Sequence, residues 1–192
     1  MDVAYIACGW CGMAMQINDL LVECDASYLG ANPLNSLVDA CLAFYVAKDE
    51  GGEWQDVVQT ATWKLEPGTL HLDMRMDKDH MVYFDITERD DDNRVLHEWH
   101  EAVPFDVFRT DVVAEGLRVL NAFGLYGYRA SWMGQADFPL AQLLRLTGKL
   151  HMHCENDSLR TSLSEELQCL SSCINALGVK DGDSVEDQGL PY

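Results

Sequence analysis

The sequence predicts an α+β fold: an antiparallel meander sheet with helices packed on one face, plus a C-terminal amphipathic helix. Two patterns carry that expectation. In the middle of the chain Leu70, Leu72, Met74 and Met76 alternate with His71, Asp73 and Arg75, the period of two that marks a half-buried strand. In the last third the apolar residues shift to spacings of three and four, the period of a helix with one buried face. Turn formers separate the central strands, at Glu66-Pro67-Gly68, Asp77-Lys78-Asp79 and Asp90-Asp91-Asp92-Asn93.

Taken in order, Val3 to Met15 reads as a buried strand or packing segment, and residues 16–28 as a further strand carrying Ile17, Leu20, Val22 and Cys24. Asn32-Pro33 starts a helix, with Asn32 as N-cap and Pro33 at the first helical position. Leu34, Leu37, Val38, Cys41, Leu42 and Tyr45 then follow helical spacing until Gly51-Gly52. Val57, Ala61, Trp63 and Leu65 mark one strand, Leu70 to Met76 the next, and Val82, Phe84 and Ile86 a third. A fourth covers Val95 to Val103. Helices should cover one face of this sheet and leave the other polar.

A helix begins near Pro104 on Phe105, Phe108, Val112, Val119, Leu120 and Phe123, and Gly124 and Gly127 interrupt it. Tyr126 to Trp132 reads as a short final strand. Asp137-Phe138-Pro139 is expected to cap a helix carrying Leu140, Leu143, Leu144 and Leu150. The clearest amphipathic stripe follows, on Leu159, Leu163, Leu167, Leu170, Ile174 and Leu177. The expected organisation is one domain over residues 1–178 with an acidic tail over 179–192. A chain of 192 residues buries roughly 70% of its unfolded surface, enough for a core without staples.

Charge is the most informative global property. Thirty-two acidic residues against thirteen basic ones give a formal −19, and no Lys or Arg precedes Lys48. Such a field repels nucleic acid, which is bound through Lys and Arg that displace counterions. It also repels anionic lipid, and it speeds encounter with a basic protein. The apolar run from Val3 to Met15 has no positive flank, as a secretory signal requires, and falls short of the ~20 residues that cross a bilayer. A soluble, cytoplasmic protein is therefore expected. Seven cysteines, an odd count, fit a reducing compartment.

Several motifs invite a chemical reading. Cys8-Gly9-Trp10-Cys11 is a Cys-x-x-Cys, but its apolar flanks predict burial, which raises a thiol pKa where redox work needs it lowered. His151, His153 and Cys154 with Cys169 and Cys173 supply zinc-type ligands. Their spacing matches no standard module, and Cys169 and Cys173 flank an apolar stripe, where a free thiol packs as a small hydrophobe. Asp90 to Asp92, and Asp181, Asp183 and Glu186, lack the alternation and central Gly of a calcium loop. No G-x-S-x-G, G-x-x-x-x-G-K-[ST] or H-E-x-x-H occurs. The run His97-Glu98-Trp99-His100-Glu101 alternates between two strand faces and assembles no nucleophile with a base. Neither a cofactor nor a metal is expected, and the chain reads as a binder rather than an enzyme.

One resemblance adds to this reading. Asn32-Pro33-Leu34 with Leu37 and Val38, Trp63-Lys64-Leu65-Glu66-Pro67-Gly68, the strands through Val82 and Phe84, Tyr128 to Trp132, and Asp137-Phe138-Pro139-Leu140 with Leu143-Leu144 are together similar to small bacterial α+β immunity proteins. Those proteins are associated with polymorphic or contact-dependent toxins. The likeness spans about residues 17–150 and carries no catalytic residue. It implies a protein partner, a basic toxin domain, whose surface is occluded. Asp85, Glu88, Asp90, Asp91 and Asp92 are the expected contributors to the binding surface. A regulatory or scaffold protein working through its terminal helix, a DNA mimic and a small enzyme are the competing classes.

Overall fold

Short turns set the N-terminal architecture. The computed structural model describes residues 1–49, 57–148, 153–155, 158–160 and 163–176. Strand β1 (Asp2–Ala7) turns through Cys8 and Gly9, both at positive φ, into β2 (Trp10–Ile17). Asn18, again at positive φ, and Asp19 then lead into β3 (Leu20–Ser27). The expected single segment at 3–15 is thus a hairpin, and the strand expected over 16–28 divides between β2 and β3. Continuous apolarity hid the first turn. The signal was Gly9, where a left-handed conformation is cheap.

Helix α1 (Pro33–Asp49) starts as expected: the Asn32 side chain accepts the Asn35 N–H at 3.0 Å. Four strands follow, β4 (Val57–Lys64), β5 (Thr69–Met76), β6 (Met81–Arg89) and β7 (Val95–Pro104). All seven strands form one antiparallel sheet in chain order. Leu70, Leu72, Met74, Met76, Val82, Phe84 and Ile86 all face the core, as their alternation predicts. Between β3 and β4 only Ser27 and Lys64 pair, so a β1–β3 half and a β4–β7 half meet at a corner.

Inside that corner lies the core. Helix α1 packs on β4, on α2 (Phe105–Ser131) and on α3 (Leu140–Leu146). Phe44 of α1 meets Phe105 and Phe108 of α2, and Phe108 meets Phe84 of β6 edge to face. Trp63, Tyr128 and Trp132 are fully buried, each such side chain contributing on the order of 2 kcal/mol or more. Trp99 is half-buried against the core.

The expected strand at Tyr126–Trp132 is instead helical. Helix α2 breaks at Gly124, whose φ and ψ leave the helical region, and resumes through Gly127 to Ser131. Tyr128 and Trp132 sit one turn apart and both enter the core, a periodicity of four read as one of two. Asp137 does not cap α3, which starts after Pro139 with no side-chain cap; its carboxylate pairs with Arg129.

A small hairpin, β8 (His153–Glu155) and β9 (Ser158–Arg160), precedes α4 (Leu163–Ala176), so Leu159 belongs to a strand and not to the helical stripe. Helix α4 buries Cys169 and Cys173, with Leu170 and Ile174 half-buried against the core, while Leu167 is 56% exposed. The cysteines are the centre of the buried stripe rather than its flank. Gly51-Gly52, Leu150, Leu177 and the tail at 179–192 lie outside the described residues.

The free edge of β1 is sealed by α2. Glu115, only 5% exposed, accepts the Val3 N–H at 2.6 Å, and Arg118 donates to the Val3 carbonyl and to both Glu115 oxygens. This fork supplies the acceptor and donor that a neighbouring strand would offer. Glu115→Ala is expected to cost roughly 1–3 kcal/mol, because it leaves a buried N–H without a partner. Chemical denaturation measures it, and an unchanged midpoint would count against the fork. On the outer side, the Tyr5 ring covers Gly12 so closely that an added Cβ would collide with it. Gly12→Ala should destabilise by about 1–3 kcal/mol, and by clearly less in a Tyr5→Ala background, where the clash is gone.

Candidate functional site

Cross-strand pairing arranges the outer face of β4–β7 in rows. One row is Thr60, Asp73, Asp85 and His100, and the next is Thr62, His71, Thr87 and Glu98. Asp73 and Asp85 stand directly opposite, a destabilising placement for like charges. Each has an imidazole at hand: His71 Nε2 lies 3.2 Å from Asp73, and His100 Nδ1 lies 2.6 Å from Asp85. Thr62 Oγ1 is 2.9 Å from His71 Nδ1, which completes a hydroxyl–imidazole–carboxylate chain. The His71 and Asp73 side chains are 40% and 45% exposed, so water competes for every link. A chain so open activates a hydroxyl poorly, since catalytic electrostatics depend on excluding water.

The five carboxylates expected to form one surface are distributed over three settings. Asp85 lies on the outer face and pairs with His100. Glu88 shares the strand parity of Phe84 and Ile86, and meets His97 at 2.9 Å where that ring stacks on Trp99. Asp90, Asp91 and Asp92 occupy the β6–β7 turn. There Asp90 accepts the Arg94 N–H, Asp91 accepts the Gly68 N–H of the β4–β5 turn, and Asp92 pairs with Arg94 at 3.3 Å. Two of the three therefore hold backbone in place.

Five cations pair with carboxylates, mostly at solvent-exposed positions. Lys48 and Arg109 reach Asp106, Arg94 reaches Asp92, Arg118 reaches Asp2 and Glu115, and Arg129 reaches Asp137. The carboxylate excess falls on solvent-facing positions such as Asp19, Glu23, Asp25, Glu98 and Asp111.

An apolar cavity of about 260 Å³ opens where the end of β2 approaches β7 and the start of α2. Met15, Ile17, Leu37, Val103, Val107 and Phe108 line it, with Asp111, Gln16 and Asn18 also in its wall. Asn18 closes one side by donating to Glu101 and to the Ala102 carbonyl. Nothing local in the sequence announces this cavity, since its walls come from β2, α1, β6, β7 and α2, whose lining residues run from Met15 to Val112.

The cysteine motif straddles the β1–β2 turn. Cys8 is exposed and Cys11 is buried. Burial pushes the Cys11, Cys24 and Cys41 thiols up to about 12, away from the thiolate that redox chemistry and metal ligation need. Among the described residues no three His, Cys, Asp or Glu side chains are grouped to hold a metal, and His151 and the side chains of His153 and Cys154 lie outside them. Among those residues, too, no helix is long and apolar enough to cross a membrane. Compared with protein-family models, with curated proteins and with solved structures, the chain matches none.

Alkylation of the native protein at mildly alkaline pH should modify Cys8 first, with Cys11, Cys24 and Cys41 reacting only on unfolding. Peptide mapping by mass spectrometry reads the order, and equal rates at Cys8 and Cys11 would contradict the buried assignment.

Proposed function

We propose that this chain is an acidic, non-enzymatic binding protein of the immunity type, acting in the cytoplasm to neutralise a cognate basic bacterial toxin by covering its surface. The observation that carries the reading is the disposition of charge. A formal −19 sits on a fold whose sheet keeps one face uncovered by its helices, with Asp73, Asp85 and Glu98 on it beside Lys64, Arg75 and Arg89. A strong net charge on the whole chain accelerates encounter with a partner of the opposite sign. Tight neutralisation needs an interface on the order of 1,600 Å² in total, with a few buried anchors at its centre.

Asp85 and its neighbours on the β6–β7 hairpin remain the proposed contributors. Because Asp90 and Asp91 also hold the turns together, charge reversal there would disturb the hairpin as well as its field. Asp85 and Glu98 offer a cleaner test, since both are exposed strand residues.

The immobilised protein would be exposed to a lysate of its own source at low and high salt, and any retained basic protein purified and assayed for toxic activity. The expected result is one basic protein held at both salts, whose activity is lost at equimolar inhibitor. A salt-labile mixture, or a retained protein that stays active, would remove the proposal. The Asp85→Lys, Glu98→Lys double variant should associate roughly tenfold more slowly at low salt, and the difference should shrink as salt screens the field.

A further inference from the structure

The two edges of the sheet are treated differently. At β1, Glu115 and Arg118 occupy the backbone groups of Val3. At β7 no described element adds a strand. The Phe105 N–H bonds the His80 carbonyl, and the Ala102 carbonyl faces Asn18 on the other side. Strand alternation then turns the N–H and C=O of Glu98 and His100 away from β6, up to the bulge where the register shifts between His97 and Val95. Among the described residues nothing is hydrogen-bonded to those outward backbone groups. Exposed edges are usually blunted by Lys, Pro or bulges. In β7 such devices stand only at the ends, a bulge between Val95 and His97 and Pro104 as the last residue, and Glu98 to Val103 holds no Lys, Arg or Pro.

At the far end of this edge lies the apolar cavity, with Val103 of β7 in its wall and Val107 half in solvent at its rim. Glu98, Glu101 and Asp111 are the charges along the way, all of one sign. A second copy of this chain is a poor occupant, because pairing two β7 edges would bring like carboxylates together on chains that each carry −19. An extended basic segment meets both requirements, backbone for backbone and cation for carboxylate.

We infer that β7 is a strand-addition site, which takes an extended segment of a basic protein alongside Glu98 and His100 and seats one of its apolar side chains in the cavity beside Val103. Main-chain hydrogen bonds supply affinity in this mode, and pockets for alternate side chains supply selectivity. The inference deepens the proposed neutralising function by naming the surface and the shape of what binds there.

The probe is a short synthetic peptide alternating lysine and valine, with blocked ends, against the same peptide with glutamate for lysine. Hydrogen exchange and fluorescence anisotropy on the full chain read the result. The lysine peptide should bind, protect the amides of Glu98 and His100, and outcompete the glutamate peptide. Glu98→Pro removes one outward N–H without touching the β6 ladder, and edge strands tolerate such a proline. It should weaken binding about tenfold, as expected for a lost hydrogen bond that leaves its acceptor unpaired. Val107→Lys, on the cavity rim, should weaken it comparably. The inference is overturned if the lysine peptide does not bind, protects other amides, or binds Glu98→Pro unchanged in a protein that circular dichroism shows folded. If a captured toxin is neutralised equally by Glu98→Pro, the β7 assignment fails and the neutralising role stands. If the peptide binds at β7 and no toxin is neutralised, the edge stands and the immunity reading falls.

Discussion

Helix α1 sits where the sheet has almost no hydrogen bonds of its own. Strands β3 and β4 pair only through Ser27 and Lys64, so the two halves of the sheet depend on what fills the angle between them. Leu34, Leu37, Val38, Ala40, Cys41 and Phe44 are all buried, and α1 touches β4, α2 and α3 at once. Its capping by Asn32 gains importance from this position. The Asn32 side chain accepts the Asn35 N–H and also the Tyr128 hydroxyl, which ties the start of α1 to the second half of α2. Without that helix the corner would expose two unpaired strand edges.

Around this packing, polar groups are used sparingly and locally. Glu115 and Arg118 finish one edge of the sheet, Asp77 organises the β5–β6 turn through the N–H groups of Asp79 and Met81, and Asp91 links two turns across the sheet end. These bonds hold the Asp77 carboxyl below the usual carboxylate range, the Met81 N–H foremost. Glu115, Asp77, Asp90 and Asp91 are therefore structural acceptors as well as charges. On the outer sheet face Asp73 and Asp85 meet imidazoles and Glu98 meets water.

The central meander was legible because its physics is local. Alternation from Leu70 to Met76 and from Val82 to Ile86 assigns each residue a face, and the acidic turns lie between. Where two periods compete, reading failed. Tyr126 to Trp132 holds aromatic residues that suit a strand, yet Tyr128 and Trp132 are needed on one helical face. In the last helix the leucine stripe looked decisive, but packing selected Cys169 and Cys173 and left Leu167 in water.

By itself the sequence determined the fold class, the register of the central strands, the start of α1 and the sign of the field. All of these follow from interactions between near neighbours or from summed charge. The tertiary structure alone decided that the Val3 backbone of β1 meets Glu115 and Arg118, that no described strand pairs with the outer edge of β7, that Glu115 is buried, and that β2, β7 and α2 enclose a cavity. The reason is separation along the chain. Val3 and Glu115, or Asn18 and Ala102, lie about a hundred residues apart. Their meeting depends on how every intervening strand pairs, and no periodicity in a linear sequence records that.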